Sequence, residues 1–156
     1  MNFVLDASVA LLWLLPQTNP AGVTYADSVL LALKESQAVV PSLFALETAN
    51  VIAKIEGKGL VSEAESQRFI TLLGQLDIAT DVQTMAHAFG DTLNLARRYR
   101  LSAYGAAYLE LALRTGLPLA TLDADLAKAA TTAGLPQFRG VSSWHRVMPR
   151  TMRRRS

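Results

Sequence analysis

Apolar residues in this chain occur both as short continuous runs and as longer stretches with helical spacing. Runs of three or four apolar residues, bounded by Asp, Pro or Gly, predict buried strands, and apolar positions three or four apart predict helices between them. Short strands that alternate with helices are typical of an α/β fold, with a mainly parallel sheet covered on both faces. The predicted strands are 2–5, 38–40, 76–79, 119–122 and 138–142, and the predicted helices begin near 9, 22, 42, 62, 81, 102 and 124.

Polar residues mark several of the predicted helix starts. Ser42, Asp81 and Ser102 are candidate N-caps, and Ser62 with Glu65 forms a capping box. The helix after Asp81 is predicted to be long and to end near residue 100. One apolar stripe of this helix should face the core: Val82, Met85, Ala86, Phe89, Leu93 and Ala96.

Composition narrows the possible classes of function. The 156 residues are 51% hydrophobic and 18% charged, which predicts one globular domain over 1–142, followed by a basic tail over 143–156. The absence of cysteine excludes disulfides, thiolate metal sites and cysteine nucleophiles. The apolar run 9–15 is too short to span a bilayer, and no basic residue precedes it as in a signal peptide. We therefore expect a cytoplasmic protein with no membrane contact.

Charge is distributed unevenly along the chain. Residues 1–136 carry a net charge of −4, whereas residues 137–156 carry +6, all from arginine. Such a basic end indicates either a contact for nucleic acid or an acidic partner, or a solvated end that aids solubility. The sequence leaves both interpretations open.

Acidic residues follow the predicted strands where ligands bind in α/β sheets. Asp6 and Asp123 directly follow two strands, Asp125 is two residues further on, and Glu47 lies in the helix after the second strand. Acids gathered at one edge repel one another unless a cation lies between them. Oxygen ligands suit Mg²⁺ or Mn²⁺, and such a centre suits cleavage of a phosphodiester by water. Ser8 could orient a carboxylate or a water.

Each of these residues also has a purely structural interpretation. Asp6 and Asp123 could cap the helices that follow them, and Asp125 could favour the positive end of the same helix dipole. Glu47 could be an exposed helix residue, and Ser8 could bond to local backbone. Taken singly, the structural interpretation is the commoner one. Taken together at one edge, the acids favour a site.

Four short stretches resemble a PIN domain of the type found in VapC toxins of bacterial toxin–antitoxin pairs. They are Val-Leu-Asp-Ala-Ser at 4–8, Leu-Glu at 46–47, Leu-Ser-Ala-Tyr at 101–104 and Thr-Leu-Asp-Ala-Asp-Leu at 121–126, and the resemblance covers 2–142. The resemblance implies a three-layer fold with about five parallel strands. It also implies a metal-dependent endoribonuclease that cuts structured RNA, often tRNA or rRNA, forms a homodimer and is inhibited by a cognate antitoxin.

The family's site residues carry over to named positions. Asp6, Glu47 and Asp123 match its acids, Asp125 matches a common additional acid, and Ser8 matches the usual Ser or Thr. The chain departs from the family at Gly105, where an acid is expected after Leu-Ser-Ala-Tyr. If Ser102 is the N-cap, Gly105 is N3, where an acid would also close a capping box. Loss of this ligand should weaken the metal site.

Several alternatives follow from Gly105 and from the surface residues. An introduced or selected change at Gly105 is favoured over natural loss, because the other acids remain. The leading function is a disabled ribonuclease toxin, the second is a catalytically silent RNA- or partner-binding module, and a phosphatase or phospho-acceptor domain is a weak third.

The apolar segments 11–13 and 29–30 suit either the core or an interface. Candidate RNA contacts are Lys54, Lys58, Arg97, Arg98, Arg100 and the Arg-rich tail, with Trp13, Tyr104 and Tyr108 as less favoured stacking residues.

Overall fold

The computed structural model describes residues 1–141, so the expected basic tail at 143–156 lies outside the described residues. Four parallel strands form the sheet in the order β3-β2-β1-β4: β1 is Phe3–Leu5, β2 is Ala38–Val40, β3 is Ile78–Thr80 and β4 is Leu119–Ala120. The chain builds outward from β1 to β3 and then returns to the other side of β1. The strand order therefore reverses between β1 and β4, which is where ligands bind in open α/β sheets.

The fifth strand expected over 138–142 is reduced to one bridge in the described part of the chain. Gln137 pairs with Leu119, and the Phe138 N–H donates to the Leu119 carbonyl at 2.9 Å. Pro136 has no N–H to extend the ladder, and Gly140 turns the chain at a φ of +68°. The Phe138 ring instead stacks on Phe3, with centroids 3.9 Å apart, and closes this end of the core.

Helices cover the sheet, and two of the four polar residues expected to start helices, Ser62 and Ser102, do cap one. Ser62 accepts from the Glu65 N–H at 3.1 Å in a complete capping box, and Ser102 accepts from the Gly105 N–H at 3.1 Å. None of the helices in residues 1–141 is long and apolar enough to cross a membrane. The helices are α1 (Ala7–Ala10), α2 (Val23–Ala32), α3 (Phe44–Gly57), α4 (Glu63–Gln75), α5 (Leu93–Tyr99), α6 (Ala103–Thr115) and α7 (Ala124–Thr132), with short 3-10 turns at Leu11–Trp13, Pro16–Thr18 and Pro20–Gly22.

The predicted N-cap at Ser42 is wrong. Helix α3 begins at Phe44, and Leu43 precedes it without a side-chain cap. The Ser42 N–H donates to Thr84 Oγ1 at 3.0 Å, so this turn is tied to the segment after β3 rather than to its own helix. The helix start shifts because the backbone after β2 has a long-range partner that local sequence does not show.

The predicted long helix after Asp81 is also wrong. The Asp81 carboxylate accepts from Arg114 at 2.7 Å and from the Thr84 hydroxyl at 2.9 Å, so no helix starts there. A 3-10 turn at Met85–His87 and a π segment at Ala88–Thr92, broken at Gly90, precede α5. The expected core stripe is therefore split, and three of its residues are largely exposed: Val82 at 92%, Met85 at 66% and Phe89 at 93%.

One core joins the strands to α2 and α6. Leu12 and Val29 are buried in this core, so the segments 11–13 and 29–30 belong mainly to the interior. Tyr108, in the middle of α6, has no exposed surface and is among the largest fully buried side chains. The core therefore fixes the position of α6 beneath the sheet edge where Asp6 lies.

Candidate functional site

Two adjacent strands bring the first and last predicted acids to one edge. Asp6 directly follows β1, and its N–H donates to the Ala120 carbonyl of β4 at 2.9 Å. Asp123 lies three residues beyond that carbonyl, at the start of α7. Asp6 is only 6% exposed, whereas Asp123 is exposed. The site is therefore anchored by a buried carboxylate and opens to solvent on the Asp123 side.

Two hydroxyl groups hold the Asp6 carboxylate. Ser8 Oγ lies 2.5 Å and Thr121 Oγ1 lies 2.7 Å from the same oxygen, Asp6 Oδ2. Each hydroxyl also accepts a backbone N–H at 3.0 Å, from Leu122 and Asp123 respectively. Because an N–H can only donate, both hydroxyl protons point to Oδ2. Asp6 makes no side-chain cap bond to α1, so these two hydroxyls, and not a helix cap, hold its carboxylate.

Thr121 is the residue of this site that sequence reasoning missed. It is only 3% exposed, and its hydroxyl joins the Asp6 carboxylate to the backbone of Asp123. The sequence did offer a signal. Thr121 lies two residues before Asp123, just as Ser8 lies two residues after Asp6. Ser8 holds the carboxylate, one of the two roles expected of it.

Asp123 combines a structural role with a position in the site. Its Oδ1 accepts the Leu126 N–H at 2.9 Å and so caps α7. This bond leaves its second oxygen uncommitted. Asp125 is exposed, and its side chain makes no hydrogen bond or ion pair with any other part of residues 1–141. The structure therefore ties Asp123, but not Asp125, to the arrangement around Asp6.

Glu47 reaches the same region from helix α3. It is half-buried, and its Oε1 accepts a hydrogen bond of 2.6 Å from the Tyr108 hydroxyl. Burial raises the pKa of Glu47, and the nearby carboxylates of Asp6 and Asp123 raise it further. Glu47 is therefore not simply an exposed helix residue. The carboxylates of Asp6, Glu47 and Asp123, from distant parts of the chain, lie near enough to affect the pKa of Glu47.

The pKa of Asp6 is raised by the same two causes, burial and a neighbouring carboxylate. Burial raises it most, and the Asp123 carboxylate adds to the rise, while the hydrogen bonds from Ser8 and Thr121 partly offset it. A buried acid that also repels its neighbours is destabilising unless positive charge is supplied. The chemistry of these oxygens fits a hard divalent cation such as Mg²⁺ or Mn²⁺.

Gly105 lies in the first turn of α6 with room for a side chain. A Cβ added there would meet only Ser102 Oγ, at 3.6 Å, which is ordinary van der Waals contact. The backbone has no positive φ at this position, so no conformation requires glycine. Tyr108 is one turn further along the same helix face, and its hydroxyl meets Glu47. A side chain at 105 would therefore lie on the helix face that carries Tyr108.

The three acids alone do not form a tight ligand set. Within residues 1–141, the one group of three acidic or histidine ligand atoms that all lie within 4.8 Å of one another is His87, Asp91 and Glu110. Asp6, Glu47 and Asp123 are thus spaced more widely than this group. Their oxygens fit a divalent cation in their chemistry.

The group at His87 has a structural explanation. His87 Nδ1 lies 3.5 Å from Glu110 and 3.7 Å from Asp91. Arg114 already binds the buried Glu110 carboxylate at 2.7 Å and Asp81 at the same distance. The group therefore belongs to an ionic network that fastens the segment before α5 to α6. The spacings of four residues, His87 to Asp91 and Glu110 to Arg114, were its signals in the sequence.

The candidate RNA contacts differ in how they are placed. Lys54, Arg97, Arg98 and Arg100 are all exposed, and none of them forms an ion pair within residues 1–141. Arg98 lies 5.5 Å over the ring of Tyr99. Of the aromatic candidates, Tyr108 is core and Trp13 is half-buried, with its indole N–H bonded to the Ala26 carbonyl. Tyr104, next to Gly105, is 66% exposed.

Comparisons with known proteins agree with this geometry. The profile of the PIN domain family matches residues 3–131. Ribonuclease VapC3 of Pyrobaculum aerophilum is 30% identical over 129 residues, which span 82% of this chain and 94% of that protein. The crystal structure of PAE2754 from Pyrobaculum aerophilum has the same fold, with a TM-score of 0.58 and 22% identity over 83% of this chain and 87% of the other. The chain therefore belongs to the PIN domain family, as a protein of the VapC type.

Proposed function

We propose that this protein is the toxin of a toxin–antitoxin pair and a metal-dependent endoribonuclease whose centre lacks one ligand at Gly105. Membership of a ribonuclease family supports the general class of reaction. The observation that carries the proposal is the Asp6 carboxylate, which is buried, does not cap its helix, and is held by two hydroxyls beside two further acids.

The acids have distinct places in the proposed reaction. Asp6, Glu47 and Asp123 would hold Mg²⁺ or Mn²⁺, and Asp125 would be an additional ligand from the exposed side. A divalent cation supplies two effects when bound: it lowers the pKa of a water and neutralises charge on phosphate oxygens. Ser8 and Thr121 keep Asp6 Oδ2 occupied, so Oδ1 would be the oxygen available to the cation.

Gly105 should leave the chain with weak metal binding and little or no cleavage. Space for a side chain at 105, and a backbone that does not require glycine, favour a change introduced or selected during cloning over long adaptation to glycine. The native gene sequence tests this point directly. An Asp codon at position 105 supports an introduced change, and a Gly codon contradicts it.

The proposed partners follow from the family and from the surface. The RNA substrate would be structured, with tRNA or rRNA as the candidates, which places the reaction in the cytoplasm. The exposed arginines of α5 and its C-terminal end, with Lys54, would contact phosphates. A cognate antitoxin would inhibit the protein. The exposed apolar residues Val82, Met85 and Phe89 support an interface between two copies of the chain.

A second candidate is a catalytically silent module that binds RNA or a partner protein. Gly105 favours this alternative because it removes an expected ligand. The retained acids and the hydroxyls around Asp6 oppose it, because a silent module has no use for a buried, strained carboxylate.

The test is RNA cleavage by the chain beside its Gly105→Asp and Gly105→Asn variants. The Asn variant is the matched control, since it has the same shape without the charge. With tRNA and rRNA in Mg²⁺ or Mn²⁺, only the Asp variant should cut, and EDTA should stop it. If the Asp variant binds RNA but cuts nothing, the binding module is supported and the ribonuclease proposal fails.

A further inference from the structure

We infer that Tyr108 is a positioning residue that holds Glu47 in the orientation needed to meet the cation, an inference that rests on the proposed function. Tyr108 does not itself touch the cation or the RNA in this account. It acts through one hydrogen bond from the core to an acid at the rim of the site.

One hydrogen bond joins a fully buried tyrosine to an acid of the site. Tyr108 has no exposed surface and packs among the strands and helices of the main core. Its hydroxyl lies 2.6 Å from Glu47 Oε1, on a helix 61 residues away in sequence. A neutral phenol donates to a carboxylate oxygen, so the Tyr108 hydroxyl is the donor and Glu47 Oε1 is the acceptor of this hydrogen bond. The core ring therefore ends in a donor aimed at the site.

The bond restricts an otherwise flexible side chain. Glu47 is half-buried on α3, and its carboxylate could rotate about several torsions without a fixed partner. With Oε1 held by Tyr108, the second oxygen makes no hydrogen bond within residues 1–141, and the carboxylates of Asp6 and Asp123 lie near enough to raise the pKa of Glu47. This ordering is present before a cation arrives, which favours binding.

The other two acids are held in the same way. Asp6 has one oxygen fixed by the hydroxyls of Ser8 and Thr121, and Asp123 has one oxygen fixed by the Leu126 N–H. Each acid thus has one oxygen bound by the protein and one left for the site. Tyr108 completes this pattern for Glu47, which a residue that only fills the core would not do.

The inference is tested by measuring Mn²⁺ affinity in the Gly105→Asp protein, with and without Tyr108→Phe. The Phe variant keeps the ring and removes only the hydroxyl. Loss of a group that orients a metal ligand typically costs 10–100-fold in affinity, and we expect a loss of about 10-fold or more. Tyr25→Phe is the matched control, because the Tyr25 hydroxyl donates to the Phe138 carbonyl at the other end of the molecule. That variant should change Mn²⁺ affinity by less than about twofold.

A double-mutant cycle with Glu47→Gln separates positioning from general packing. If Tyr108 acts through Glu47, Tyr108→Phe should cause little further loss of Mn²⁺ affinity in a protein that already carries Glu47→Gln. Equal Mn²⁺ affinity with and without the Tyr108 hydroxyl overturns the inference, as does a full loss that persists when Glu47→Gln is present. If the Gly105→Asp parent itself binds no Mn²⁺, the proposed function fails as well, and that result is recognised in the parent alone. Urea unfolding in EDTA checks that each variant is folded.

Discussion

Replacement of Gly105 by Asp should convert a weak cation site into a strong one without disturbing the fold. The added Cβ meets only Ser102 Oγ, at 3.6 Å, and the backbone is already helical. The variant needs no movement of neighbouring atoms. The same side chain would close a capping box with Ser102, whose hydroxyl already accepts the residue 105 N–H.

The size of the effect depends on whether a cation is present. Asp at N3 of α6 gains about 0.3–1 kcal/mol from the helix dipole, and leaving glycine gains roughly 0.3 kcal/mol of helix propensity. If the new carboxylate lies about 6 Å from another, the two repel by about 3 kcal/mol at an effective dielectric constant of about 20. Without a cation, the variant should therefore be about 1–2 kcal/mol less stable than the parent.

Saturation with Mn²⁺ should reverse this order. At about 100 times its dissociation constant, a ligand stabilises the folded state by roughly 2.7 kcal/mol. For a chain of this size, that corresponds to a rise of roughly 5–10 °C in Tm. The measurement is thermal unfolding of the parent, Gly105→Asp and Gly105→Asn, each in EDTA and in a Mn²⁺ series.

The Gly105→Asn variant separates the effect of the added charge from the effect of the added side chain. It has the same room and a similar capping ability but adds no charge, so its Tm should respond to Mn²⁺ no more than that of the parent. If Asp and Asn variants show equal Mn²⁺ shifts, the open position at 105 is not a cation ligand and the reasoning is refuted.

Further predictions concern the same acids and the surface around them. Asp6→Asn should raise stability in EDTA at pH 7 by on the order of 1 kcal/mol while abolishing the Mn²⁺ shift, and a loss of stability in urea unfolding would contradict it. Burial raises the pKa of Asp6 and Glu47 above their ordinary values of 3.8 and 4.5, so the folded state binds more protons than the unfolded state above those values. Stability in EDTA should therefore rise as pH is lowered from 7 towards 5, and this rise should be smaller in an Asp6→Asn, Glu47→Gln double variant. Arg114→Ala should cost about 3–5 kcal/mol in urea unfolding because Glu110 is left buried without its partner, against about 0.5 kcal/mol or less for the exposed Arg68→Ala control. Removal of any one of Arg97, Arg98 and Arg100, the proposed phosphate contacts, should lower the slope of log RNA affinity against log salt by about 1.

Local sequence predicted the parts of the fold that depend on local interactions. The capping box at Ser62 and the N-cap at Ser102 use groups three residues apart, so their patterns are visible in the chain itself. The parallel sheet was predicted because short buried runs alternate with helices. The last expected strand fell short because only one residue pairs with β4 before Gly140 turns the chain.

Long-range contacts explain the failures. Asp81 looks like an N-cap, but its carboxylate is taken by Arg114, which is 33 residues away. The apolar stripe that follows was expected in the core and is instead divided by the π segment at Ala88–Thr92, leaving Phe89 93% exposed. The spacing of apolar residues does not predict that the Arg114 side chain binds the Asp81 carboxylate.

The site was predictable only where its residues occupy recognisable positions in the sequence. Acids at strand ends can be located in the sequence, because the sheet brings those ends together. Ser8 lies two residues from Asp6 and was assigned from the sequence, but Thr121 and Tyr108 were not, since Thr121 is 115 residues from Asp6 and Tyr108 is 61 residues from Glu47. Tyr108 in particular reads as a core residue, and only its hydrogen bond distinguishes it from one.

The most direct measurement is the position of Mn²⁺ in crystals of the Gly105→Asp variant, located by anomalous scattering. Our account predicts a peak at the sheet edge, between Asp6, Asp123 and the new carboxylate, with Glu47 facing it. No peak at that edge, or a peak only at the group formed by His87, Asp91 and Glu110, would contradict the claim that the acids at the sheet edge form the metal centre.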